Sequence, residues 1–151
     1  MTNPPRTERS EEREPAVRFC PWTPWPRRNE ITNSHLPGVY LLATWDTEPP
    51  AQTDPRSEAL IYVGETTEQS LQGRWQQFDR AAFESRPGHT AGLAYRDILA
   101  DDGESLYVAT FVPEGLRRDL RTLFIRYIER RLLWEWARRH GEPPMLNTRQ
   151  L

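Results

Sequence analysis

Two charged residues, Glu129 and Arg74, interrupt the apolar faces of predicted helices. Glu129 has Ile125, Leu132 and Leu133 three and four residues away, and residues at this spacing share a helix face. Arg74 lies in the same way between apolar residues of an earlier helix. An inward carboxylate is costly unless it is paired or binds a metal. We therefore expect these residues either to form a salt bridge with each other or to line a functional site.

An arginine and a carboxylate in one cleft are the groups that cleavage of a phosphodiester requires. The guanidinium stabilises the negative charge that grows on the phosphate in the transition state, and the carboxylate holds a divalent metal that polarises the phosphate. Mg²⁺ suits a site with one carboxylate because it retains most of its water. Glu129 is accordingly the candidate metal ligand and Arg74 the candidate phosphate contact.

Three predicted strands organise the domain that carries these residues. Residues 38–44, 59–64 and 106–112 are rich in β-forming side chains, and the second strand is expected to stop at Gly64. A loop rich in Pro, Asp and Glu, residues 46–56, separates the first two strands. The order β-β-α-(α)-β-α predicts an α+β fold with a small three-stranded antiparallel sheet flanked by helices.

The helices follow from apolar spacing and from their end signals. Thr66 or Thr67 is expected to start the first helix, which carries four apolar residues on one stripe: Leu71, Trp75, Phe78 and Ala82. A short helix is predicted over residues 93–99. The longest helix is predicted from about residue 115 to residue 140, with Gly141 as its C-terminal cap.

The chain before the folded domain divides into two parts. Residues 1–18 alternate arginine and glutamate without an apolar run and are predicted to be a disordered tail. Residues 19–35 form a Pro/Trp-rich arm, whose aromatics either pack across the domain or dock a protein partner. The domain itself is assigned to residues 36–151.

Bulk composition favours a cytoplasmic protein that does not enter a membrane. The N-terminus has no apolar signal core and no stretch approaches the length of a membrane span. Cys20 is the only cysteine, which excludes an internal disulfide and a zinc finger. The net charge is −2, but residues 116–140 carry eight arginines against three acidic residues, a local charge of +5. Such a segment suits a phosphate backbone, and it equally suits a solvated helix face.

Two short phrases, Gly38-Val39-Tyr40 and Tyr62-Val63-Gly64, resemble the half-motifs that name the GIY-YIG nuclease family, each with Val for Ile. The resemblance continues in chain order and covers residues 36–149. Its further elements are an arginine in the next helix, a glutamate in a helix after the third strand, and an asparagine after two prolines: Arg74, Glu129 and Asn147.

The resemblance implies a single-metal endonuclease and gives each matching residue a role. Glu129 would bind Mg²⁺ or Mn²⁺, and Arg74 would stabilise the scissile phosphate. Tyr40 would help to activate the attacking water, and Tyr62 would hydrogen-bond within the phosphate and water network. Asn147 would brace the metal and phosphate region.

His89 is the candidate relay for Tyr40, because a tyrosine with an ordinary pKa near 10 is a poor base at neutral pH. The alternative is that His89 only hydrogen-bonds its own loop. Members of the family often place a histidine one turn after the helix arginine, where this chain has Phe78. The loop between the two half-motifs is also longer than is usual in the family.

Three functions are consistent with these features. The first is a divalent-metal-dependent endonuclease that hydrolyses phosphodiester bonds in DNA, branched or single-stranded DNA included, in preference to RNA. The second is a module on the same fold that binds nucleic acid with weak catalysis or none. The third is a protein-interaction domain in which Glu129 and Arg74 merely pair.

Overall fold

A four-stranded antiparallel sheet forms the centre of the structure, a computed structural model that describes residues 13–148. Its strands are β1 (Thr23–Pro24), β2 (Gly38–Thr44), β3 (Leu60–Thr66) and β4 (Leu106–Phe111), in the spatial order β1-β4-β2-β3. The α+β class is confirmed. The predicted number of three strands is wrong, because the arm contributes β1, which pairs with β4.

Three α-helices cover the two faces of the sheet. They are α1 (Leu71–Glu84), α2 (Thr90–Ile98) and α3 (Arg118–His140), and a 3-10 helix follows β1 at Trp25–Glu30. Successive strand residues point to opposite faces, so Tyr40 packs with α1 and α2 while Leu41 packs with α3. The sheet therefore separates two hydrophobic cores.

Two boundaries differ from their predictions at the end of β3. The strand continues through Gly64 to Thr66, because Gly64 pairs with Tyr40 in the ladder with β2. The first helix starts later than Thr66 or Thr67: Ser70 is its N-cap, with Oγ accepting a hydrogen bond from the Gly73 amide at 3.0 Å.

The other two helices also begin elsewhere than expected. The second begins at Thr90 and not at residue 93, because the preceding His89 caps it through its ring. The third begins at Arg118, three residues later than predicted, and ends at Gly141 as predicted, with φ of 89°. A positive φ is the conformation that glycine adopts without strain.

The arm packs across the domain. Trp22 and Trp25 are buried, and the Trp25 indole Nε1 donates to Asp79 Oδ1 at 2.8 Å. These tryptophans are therefore unavailable as a docking strip. The predicted disordered tail falls outside the described residues up to residue 12. Within residues 13–148, no helix is both long and apolar enough to cross a bilayer.

Candidate active site

A polar cleft of about 190 Å³ opens along the β3 edge of the sheet. The backbone of β3 forms its floor, α1 supplies Arg74 from one side, and α3 supplies Glu129 and Arg130 from the other. Tyr62 and Asn147 complete the wall. Because β3 is an edge strand, side chains from both faces of the sheet meet at this line.

The sequence-predicted residues separate into two groups. Four of them line the cleft: Tyr62, Arg74, Glu129 and Asn147. Tyr40 and His89 lie behind that lining, fully buried or nearly so, and Tyr40 is hydrogen-bonded to both Tyr62 and Arg74.

Glu129 is a desolvated carboxylate whose side chain is only 14% exposed. Burial raises its pKa to about 7; Arg130 lowers the pKa and Glu65 raises it. Among the described residues, the ion pair that Glu129 makes is with Arg130 at 3.9 Å, and Arg74 makes none with it. The salt bridge between Glu129 and Arg74 that the protein-interaction hypothesis requires is thus not formed.

Glu65 is a second carboxylate in the cleft, and sequence reasoning missed it. Burial raises its pKa, while the charges of Arg126, Arg74 and Arg130 lower it. Its Oε2 is buried without a hydrogen-bond partner among the described residues. The period of two along a strand could have identified Glu65, since it follows Val63 on one face of β3, but the strand was expected to end at Gly64.

Arg74 is held by groups outside the cleft. Its Nη1 donates to Gln77 Oε1 at 2.8 Å and to the carbonyl of Gly88 at 3.4 Å. A guanidinium has five N–H donors in a planar fork, so these contacts orient the side chain and leave donors for an anion. Burial raises the pKa of Tyr62 and lowers that of His89, and the positive charge of Arg74 acts in the lowering direction on both.

His89, Tyr40 and Tyr62 form a hydrogen-bonded chain that leads to the cleft. The Tyr40 hydroxyl lies 3.0 Å from His89 Nε2, and the two tyrosines are also hydrogen-bonded. Burial raises the pKa of Tyr62 to about 12 and that of Tyr40 well above 10. Both tyrosines are therefore neutral at pH 7, and only Tyr62 touches the cleft.

The hydrogen bonds of His89 define its tautomer. Its Nδ1 accepts from the Gly92 amide at 3.3 Å, so in the neutral ring the proton is on Nε2. Burial, and then the charge of Arg74, lower the pKa of His89 to about 3, so the ring is neutral at pH 7. Its Nε2 then donates to the Tyr40 oxygen. Because Nε2 already carries a proton, His89 does not act as a base for Tyr40. The Tyr40 oxygen accepts this hydrogen bond, and its own hydroxyl proton is directed to Tyr62.

Gly64 provides the space that the two tyrosines occupy. A Cβ at this position would lie 2.5 Å from Tyr40 Cζ and 2.5 Å from Tyr62 Cε1. Gly64→Ala is expected to lower the free energy of unfolding by about 1–3 kcal/mol, because neither ring can move within its core. Urea unfolding measures this change. Gly73→Ala, in the first turn of α1, is the comparison: its Cβ would lie 3.2 Å from Gln69 Oε1 and 3.3 Å from Ser70 Oγ, which is a milder contact, so it should cost less than Gly64→Ala. Equal effects would contradict the tight fit.

Asn147 braces the strand that carries Tyr62. Its Oδ1 accepts from the Val63 amide and its Nδ2 donates to the Val63 carbonyl, both at 2.9 Å. The side-chain amide thus pairs with β3 as a neighbouring strand would, and Leu146 adds a backbone bond to Ile61. Its two polar groups are engaged by the backbone, so Asn147 supports the cleft wall.

Glu129→Gln is expected to raise the free energy of unfolding at pH 8 by on the order of 2 kcal/mol. The folded-state pKa of Glu129 is about 7, above the unfolded value of about 4.3. The contribution of wild-type Glu129 to stability is therefore fully present below about pH 4.3 and is lost as the pH rises through 7. Urea unfolding at pH 4.5 and pH 8 measures the difference, which should nearly vanish at the lower pH. A difference independent of pH would contradict the raised pKa.

Comparison of the chain with protein-family models, with curated proteins and with solved structures finds no match. The resemblance to GIY-YIG nucleases therefore rests on the sequence motifs alone.

Proposed function

We propose that the protein is a divalent-metal-dependent endonuclease that hydrolyses phosphodiester bonds in DNA, on a variant of the GIY-YIG fold. The observation that carries this proposal is the meeting of Glu129, Arg74 and Tyr62 in one polar cleft, although they come from three different elements. A salt bridge between Arg74 and Glu129 would have explained both residues without a ligand, and they do not form one.

The residues of the cleft fit a hydrated Mg²⁺ or Mn²⁺ ion. Glu129 and Glu65 are two desolvated carboxylates, each with a raised pKa, and a nearby cation would stabilise their ionised forms. Residues 13–148 contain no group of three or more His, Cys, Asp or Glu side chains placed to hold a metal. Two carboxylates are few protein ligands, so a cation held by them would keep most of its water, as Mg²⁺ prefers.

In this proposal, each side chain acts on one part of the reaction. Arg74 binds the scissile phosphate and stabilises its growing charge. Tyr62 orients the attacking water as a neutral hydroxyl, and Tyr40 and His89 are positioning residues that hold Tyr62. Glu129 would hold the divalent cation, whose charge would polarise the phosphate and stabilise the leaving oxygen.

The proposal is tested with supercoiled, linear and branched DNA, each incubated with the protein in Mg²⁺, Mn²⁺ or EDTA. We expect cleavage with metal, none in EDTA, and none by Glu129→Ala. Binding of DNA without cleavage under every condition would favour the nucleic-acid-binding module. Cleavage that survives in Glu129→Ala would overturn the assigned site.

A further inference from the structure

Beside the cleft, α3 and the β2–β3 loop border a second, larger and more open groove of about 460 Å³. It is lined by Arg56 from the loop and by Trp134, Glu135, Arg138 and Arg139 from α3. We refer to it as the arginine groove. None of its lining residues belongs to the GIY-YIG-like motif positions or has a role in the proposed cleavage.

The arginine groove combines positive charge with an exposed aromatic ring. Trp134 is 62% exposed, although it is a large apolar side chain, and the Arg138 guanidinium lies 5.1 Å from the centre of its ring. The one acidic member, Glu135, accepts from Arg131 Nε at 3.0 Å, so its charge is already balanced. Three arginines beside an exposed indole suit a phosphate backbone and its bases.

The loop side of the arginine groove has a fixed position, because two hydrogen bonds hold it against α3. His140 Nε2 donates to the Arg56 carbonyl at 2.9 Å, and Trp136 Nε1 donates to the Ser57 carbonyl at 3.0 Å. These contacts place the Arg56 side chain beside Arg138 and Arg139. The long loop between the two half-motifs thus has a defined position and supplies a cation.

A single stripe of α3 connects the catalytic cleft to the arginine groove. Arg130 lines the cleft, while Trp134 and Arg138 line the groove, and residues four apart share a helix face. From Arg130 to Arg138 the helix rises about 12 Å, which equals three to four nucleotide steps of about 3.4 Å along one strand. The cleft, at about 190 Å³, is too small for flanking nucleotides, and this stripe offers them a surface outside it.

We propose that the arginine groove binds the DNA that flanks the scissile phosphate, with Arg56 and Arg138 on phosphates and Trp134 stacked on an unpaired base. The proposal rests on the endonuclease assignment for its choice of DNA as ligand. A second copy of the chain is a poorer occupant, because like charges would then meet.

The test is binding of a fluorescein-labelled 20-base-pair duplex and of the matching single strand, measured by anisotropy in EDTA over a range of salt. We expect Arg56→Ala/Arg138→Ala to reduce the slope of log K against log salt by about 0.9 for each phosphate that the protein no longer neutralises. Trp134→Ala should weaken single-strand binding by roughly 5- to 150-fold, and Trp134→Phe should retain most of the affinity. Arg96→Ala, an exposed arginine on α2, is the control and should bind as the wild type does.

The outcomes separate this proposal from the catalytic one. Groove variants that bind with wild-type affinity and salt slope would overturn the groove, even if metal-dependent cleavage is observed. Weakened binding without any cleavage by the wild type would retain the groove and reject the nuclease. Loss of a dimer in the groove variants with unchanged DNA affinity would also overturn the proposal, as would a wild-type protein that binds neither DNA.

Discussion

Glu129→Gln is expected to lower the rate of DNA cleavage by about 10³-fold or more. The substitution preserves the shape of the side chain but removes the anionic oxygen that would hold the divalent cation, whose contribution to the transition state is several kcal/mol. The same change is expected to stabilise the fold at pH 8, because the wild-type carboxylate is desolvated. Loss of activity and gain of stability in one variant is the signature of a residue kept for function.

The measurement is the single-turnover rate of nicking of supercoiled DNA at pH 8 in Mg²⁺, beside the unfolding free energy of the same preparation. Asp119→Asn is the matched control, because Asp119 is a carboxylate on the same helix and lines neither the cleft nor the arginine groove. Equal rates for the wild type and Glu129→Gln would contradict the assignment. A drop that Asp119→Asn shares would show a general effect of charge on α3.

Arg74→Ala is expected to lower kcat by about 10²–10³-fold, the usual cost of losing one transition-state donor. Arg74→Lys should recover only part of the rate, since lysine keeps the charge but lacks the planar fork. In the proposed role, the Arg74 guanidinium acts on charge that develops during the reaction, so kcat should fall more than KM rises. Kinetics on a labelled duplex separate the two constants.

Arg80→Ala is the matched control for this second prediction. Arg80 lies on the same helix, is exposed, and does not line the cleft, yet its removal changes the net charge by the same amount. If Arg74→Ala raises KM and leaves kcat unchanged, Arg74 only attracts DNA. The transition-state role would then be excluded.

Strong periodic patterns predicted the central elements of the fold. The strand at residues 38–44 and the end of α3 at Gly141 follow directly from β-forming side chains and a glycine cap. Strand β1 could not be predicted in this way, because it has two residues, one of them Pro24, and exists only through its pairing with β4. Tertiary contact, and not local propensity, forms such a strand.

The continuation of β3 past Gly64 illustrates the same limit at the site. Glycine usually weakens a strand, but here its missing Cβ leaves the space that Tyr40 and Tyr62 fill. Because the strand was expected to stop, the side chain of Glu65 had no predicted face and the second carboxylate of the cleft was missed. The prediction that Glu129 and Arg74 line one site came from the order of the motif elements along the chain, and neither helix alone was enough to make it.

The tautomer of His89 depended on an equally local contact. The relay role assumed that the ring accepts a proton from Tyr40. Because His89 is also the N-cap of α2, its Nδ1 accepts from the Gly92 amide, and the ring proton is therefore on Nε2, the atom that faces Tyr40. A helix predicted to start at residue 93 gave no reason to expect this bond.

The central claim, that Glu129 is the ligand of a divalent cation, is tested most directly by Mn²⁺ binding at pH 8, followed by the electron paramagnetic resonance signal of the free ion. The wild type is expected to bind one Mn²⁺ per chain, and Glu129→Gln is expected to lose that site while remaining folded. Identical binding by the two proteins, or no binding by the wild type, would contradict the claim.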